Sequence, residues 1–221
     1  MYKRQIVQDD SLYTLRSQIL EGNNVSLRCS LRLLISFIEY DKRKYLINSE
    51  TYMKIQSLII ELMPFLVAKL RSDTMSNFTL LWNNQQSIKF RPFGLANQRI
   101  LEFIECAFKF EKCCIQDTLD KCNVFQLLLS IVNEYSNNTN VHLLIFGIFN
   151  YALNNSFLCE RVIIQNDIAQ LLLQLHLDAI GVFPSGRKYT KPYDIHILEL
   201  SICLESVRKC VMSLNEYLGS K

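Results

Sequence analysis

The chain of 221 residues carries 24 Lys and Arg against 21 Asp and Glu, a formal charge of +3, and 49% of it is hydrophobic. Only six Gly and four Pro interrupt it, where an average protein holds roughly 12% of the two together. The apolar fraction excludes a disordered chain, the scarcity of turn residues excludes collagen, flexible linkers, Pro-rich tails and a many-turned sandwich or barrel, and the mild charge lacks the concentrated basic stripe of a nucleic-acid tracker.

Apolar residues recur at helical spacing along almost the whole length. Leu27, Leu31, Leu34, Ile35 and Ile38 form one stripe, with Arg28, Arg32, Ser36 and Glu39 opposite. Ile55 to Leu70 is apolar on most sides, and Pro64 within it predicts a kink or a break between two helices. A third helix is predicted from about Asn97 to Phe110. The next use Val124, Leu127, Leu128, Ile131 and Tyr135, then Val141, Leu144, Ile145, Ile148 and Ala152. Two more are predicted on Ile164 to Leu175 and Leu200 to Leu218. No strictly alternating β-branched run occurs.

The joints are short and rich in Asn, as at Gly22-Asn23-Asn24, Ser136 to Asn140 and Asn154-Asn155, and such residues cap the helix that follows. The expected fold is therefore all-α, a single domain over residues 1–221. Within that class it is an armadillo- or HEAT-like helical-repeat solenoid or a stacked helical bundle with no fixed repeat period. One long irregular stretch, 179–192, gathers Gly181, Pro184, Gly186 and Pro192 with Arg187, Lys188 and Lys191. A loop of that length inside a domain is usually functional or disordered.

The chain begins Met1-Tyr2-Lys3-Arg4-Gln5 without a signal-peptide apolar region. Its longest uncharged run, Tyr135 to Cys159, is too broken by Asn to span a bilayer. The eight cysteines then read as reduced thiols of a cytoplasmic or nuclear protein. Cys106, Cys113, Cys114 and Cys122 lack the two-to-four-residue pairing of a zinc site and are expected to pack as small apolar residues. His142, His176 and His196 are scattered, and no phosphate loop, nucleophile elbow or metal motif is present. The reading is a non-enzyme with no catalytic residues, metal or cofactor. Lys42-Arg43-Lys44 and Arg187-Lys188 with Lys191 read as solvated loop charge or as contacts for an acidic partner surface.

Four stretches in colinear order carry a family resemblance. Val25 to Glu39 holds a leucine-rich helix ending in an acidic residue, and Ile60-Glu61-Leu62-Met63-Pro64-Phe65-Leu66 precedes the turn Pro92-Phe93-Gly94, which leads to Arg99-Ile100-Leu101-Glu102-Phe103-Ile104. Tyr135 is followed by Asn138 and, seven residues after the Tyr, by His142. Gly186-Arg187 precedes Tyr193, His196, Ile197 and Leu200. In these features the chain resembles the C-terminal part of the SAPS domain, found in the regulatory subunits of protein phosphatase 6. The family Trp is replaced by Asn137, and the glycines near Tyr193 are replaced as well.

The resemblance implies a non-enzymatic scaffold that binds the catalytic subunit of a serine/threonine phosphatase and targets it to substrates, with no nucleic acid or membrane partner. It marks Pro92, Gly94, Arg99, Tyr135, Asn138, His142, Tyr193 and His196 as candidate contact residues. The same residues also suit helix packing: Asn138 is placed to cap the helix carrying His142, His142 to bond a neighbouring helix end, and Tyr193 and His196 to share a helix face. The rival reading is an unrelated armadillo-like adaptor, with Asn138, Asn150 and Asn154 along one concave surface. A remoter one is an RNA-binding repeat protein.

Overall fold

Long apolar stripes separated by few turn residues leave the chain one way to bury its core, which is helix against helix. A computed structural model describes residues 9–44, 49–75, 92–109, 113–135 and 138–154, with the single positions Glu205, Arg208 and Met212. Among the described residues there are seven helices and no strand, so the protein is all-α. The helices are α1 (Asp9–Glu21), α2 (Asn24–Lys44), α3 (Ser49–Met75), α4 (Leu95–Phe108), α5 (Cys113–Lys121), α6 (Val124–Glu134) and α7 (Thr139–Asn154). They belong to two compact units, Met1–Cys122 and Asn123–Lys221.

In the first unit each helix packs on its chain neighbour or on the next but one: α1 on α2 and α3, α2 on α4, α3 on α4 and α5, and α4 on α5. The cross-links give direction. Arg16 of α1 meets Glu61 of α3, while Leu12 and Tyr13 share a cleft with Met53 to Leu58, so these two helices run parallel. Gln56 bonds Cys114 near the start of α5, and Arg71 donates to the Cys122 carbonyl just beyond its end (3.2 Å), so α3 and α5 are parallel as well. Helices α2 and α4 form a second parallel pair, since Asn24 to Arg28 lie beside Gly94 to Asn97 and Arg32 to Glu39 lie beside Arg99 to Lys109. The first unit is therefore two layers, α1-α3-α5 and α2-α4, as stacked helix pairs give.

The core between the layers is apolar. Ile19, Leu27, Leu31, Leu34, Ile59, Leu62, Met63, Ile100, Phe103, Ile104 and Phe108 are fully or almost fully enclosed. Gly22 is required at the α1–α2 joint, because a Cβ there would collide with the Gln18 carbonyl oxygen and lie 2.8 Å from Ser26 Cβ. Asn23 then accepts from the N–H groups of Val25 and Ser26, both at 3.0 Å, and caps α2 as the Asn-rich joint predicts. In the second unit α6 packs on α7. Asn123 adopts the left-handed conformation (φ 52°), which Asn tolerates better than most residues, at the entry to α6.

Three local expectations change. Pro64 neither breaks nor divides the helix: α3 is continuous from Ser49 to Met75. Pro64 lies on its exposed face, where the carbonyl that loses its N–H partner can be hydrated. Lys42, Arg43 and Lys44 lie in the last turn of α2 rather than in a loop. Helices α1 and α5, which the periodicity did not single out, are both short and weakly apolar. The stretch 179–192 and the helices predicted on 164–175 and 200–218 lie outside the described residues, apart from Glu205, Arg208 and Met212, which are helical.

Candidate protein-interaction surface

The candidate residues fall into two groups with different surroundings. Pro92 and Gly94 are exposed at the start of α4. Gly94 is the N-cap with φ 78° and ψ 146°, a backbone conformation that side chains disfavour, and no side chain caps the helix. Phe93 is tucked into the core, and Asn97 holds the turn from inside by donating from Nδ2 to the Phe93 carbonyl (2.8 Å). The turn is thus anchored by Phe93 and Asn97 and presents Pro92 and Gly94 outward. Asn97 Oδ1 is buried with no hydrogen-bond partner among the described residues.

One turn further along, Arg99 is half-buried and ion-paired with Glu102. It lines a cleft of about 210 Å³ between α2 and α4, together with Arg32, Glu39 and Lys109. Lys109 pairs with Glu105 at 2.7 Å. A second cleft along the same groove, about 260 Å³, is lined by Asn24, Val25, Arg28, Asp73 and Gly94 to Asn97. Asp73 is 3.6 Å from the Lys69 ammonium. Gly94 and Arg99 therefore both border the α2–α4 groove.

The second group is turned inward, with Tyr135 and His142 buried and Asn138 half-buried. Tyr135 ends α6 and is only 6% exposed. Its carbonyl accepts from the Asn138 N–H at 2.8 Å, which folds the chain back. Asn138 then caps α7 twice, its Oδ1 accepting from Val141 N–H (3.2 Å) and its carbonyl from His142 N–H (3.1 Å). His142 is fully buried, with Nε2 3.3 Å from the Val132 carbonyl in the last turn of α6. Its ring packs at 5.6 Å from that of Phe146. This is the capping and helix-end bonding that the sequence predicts. Tyr193 and His196 lie outside the described residues.

Burial of the cysteines is graded. Cys106 is buried, as a small apolar residue would be, but Cys114 and Cys122 are half-exposed and Cys29 is exposed. Partial burial pushes the Cys122 thiol up, against the opposing pull of Arg71, which disfavours the thiolate at neutral pH. Among the described residues no three His, Cys, Asp or Glu side chains group as a metal site would, and no helix is long and apolar enough to cross a membrane.

The sequence reading missed the outer face of α2. Val25 (61% exposed), Cys29 and Leu33 (52%) recur every fourth residue on that face, with Arg28 and Arg32 between them. The helical stripe of Leu27, Leu31 and Leu34 identifies the buried face and puts Arg28 and Arg32 opposite it, without marking Val25, Cys29 and Leu33 on that polar side. The signal was available as apolar residues on the polar side. No family model matches the chain, and neither a curated protein nor a solved structure is similar to it.

Proposed function

We propose that this chain is a non-enzymatic, armadillo-like scaffold that binds the catalytic subunit of a serine/threonine phosphatase of the protein phosphatase 6 class, in the cytoplasm or nucleus, and presents it to substrates. The fold class and the exposed surface support a scaffold, while the named partner rests on the resemblance in the motifs around Pro92, Arg99, Tyr135 and His142. The observation that carries the reading is that Gly94 and Arg99 line an open groove between two parallel helices, next to exposed Pro92. A scaffold of this kind acts by raising the effective concentration of substrate near the catalytic subunit. It needs no reactive group of its own, and the metals of the reaction belong to the partner. His142, enclosed and bonded to a backbone carbonyl, is in a place that no substrate reaches.

The test is to mix the purified full chain with a purified catalytic subunit of that class and follow co-elution by size exclusion. Affinity purification from the native cell, read by mass spectrometry, is the companion experiment. Co-elution and recovery of the phosphatase are expected. Recovery of other proteins with no phosphatase would overturn the named partner in favour of the unrelated adaptor. That alternative gains no support from Asn138, whose side-chain oxygen is committed to the cap of α7.

A further inference from the structure

We infer that the outer face of α2 and the adjoining start of α4 form a docking strip for an acidic, leucine-bearing segment of a partner protein. The strip comprises Val25, Arg28, Cys29, Arg32 and Leu33 of α2 with Leu95 of α4. Val25, Leu33 and Leu95 are 61%, 52% and 59% exposed. Val25 to Leu33 spans eight residues of helix, about 12 Å, which matches two apolar anchors of a short bound segment. Neither Arg28 nor Arg32 has a hydrogen bond or ion pair among the described residues.

Charge complementarity selects the occupant. The other cations bordering the groove are neutralised in place, Arg99 by Glu102 and Lys109 by Glu105, and the Asp73 carboxylate is matched by Lys69. Two guanidiniums one helical turn apart are left over, interleaved with apolar side chains, against the one carboxylate of Glu39 further along the same cleft. Carboxylates of a partner segment satisfy them bidentately, and its apolar residues cover Val25, Leu33 and Leu95. A nucleic-acid backbone fits less well, because a continuous run of phosphates needs a longer basic stripe than Arg28 and Arg32, the two groove cations without an ion pair among the described residues. The scaffold reading enters only in taking protein contact as the role of this face. The phosphatase is not needed for the test, so the two stand or fall separately.

The experiment is fluorescence anisotropy of the full chain with a short labelled peptide alternating Leu and Glu. Saturable binding that weakens with salt is expected. It should fall about ten-fold in R28E/R32E, and fall also in V25S/L33S and for the peptide with Gln in place of Glu. K121E, an exposed charge reversal on α5, should bind as the parent does. Circular dichroism of each variant checks that these surface changes leave the helices intact. Absence of binding at low salt, binding indifferent to R28E/R32E, or tighter binding of a single-stranded RNA of equal length would each overturn the proposal.

Discussion

The turn before α4 and the turn before α7 both carry the chain into a helix, and both hold residues of the family resemblance. Before α4 the anchor is internal: Phe93 and Asn97 are buried, and Pro92 and Gly94 are left facing solvent. Before α7 the residues of interest are themselves the anchor. Tyr135, Asn138 and His142 spend their polar groups on each other's helices, and the His142 ring is closed off entirely. Residues of one resemblance thus have different work. The α7 turn holds two helices together, and the α4 turn leaves Pro92 and Gly94 open to solvent.

The variant His142→Ala should have the largest effect. Removing a fully enclosed ring and its bond to the Val132 carbonyl should lower stability by about 2–4 kcal/mol, seen as a lower urea midpoint for the second unit. A change within error would show that the α7 turn is not a structural anchor. Gly94→Ala is next, and its origin is different. A Cβ there meets no atom within 4 Å, so only the backbone conformation at φ 78° resists it. The cost should be about 1–2 kcal/mol, and an unchanged midpoint would show that the turn relaxes freely.

Asn138→Ala removes a cap and should cost about 1 kcal/mol, with Asn138→Asp restoring most of it. Arg99→Gln should cost under about 1 kcal/mol in stability, since it breaks a partly exposed i,i+3 pair. If the α4 side of the groove meets the phosphatase, the same change should weaken that complex several-fold. A large loss of stability would move Arg99 into the structural class with His142.

The smallest expected effect is on the other layer. Hydrogen bonding from Arg16 holds the Glu61 carboxyl below its ordinary range, outweighing the partial burial that raises it. A depressed carboxylate stabilises the fold above its unfolded pKa of about 4.3 and loses that contribution as pH falls through the lower folded value. Glu61→Gln should therefore remove a slight acid-side dependence of the urea midpoint and leave neutral pH almost unaffected, because the pair is open to solvent.

The helix class and most stripes were legible because burial imposes a 3.6-residue period. Leu27, Leu31, Leu34 and Ile38 are enclosed where the pattern placed them, while Ile35 of the same stripe is half-buried at the α2–α4 cleft. The caps at Asn23 and Asn138 were legible because Asn oxygen matches orphan N–H groups at a helix start. The continuity of α3 through Pro64 was not, since it depends on which face the proline occupies. Nor was the α2–α4 groove: Arg28 and Gly94 are 66 positions apart and meet only because two helices stack in parallel. Periodicity is a property of one helix at a time.

If the chain is the proposed scaffold, partner contact falls on the α2–α4 groove and not on the buried residues of the α7 turn. Hydrogen exchange of the full chain, with and without the purified phosphatase catalytic subunit, tests it directly. The predicted result is added protection over 24–33 and 94–99 with 135–146 unchanged. Protection confined to 135–146, or none in either region, would contradict it.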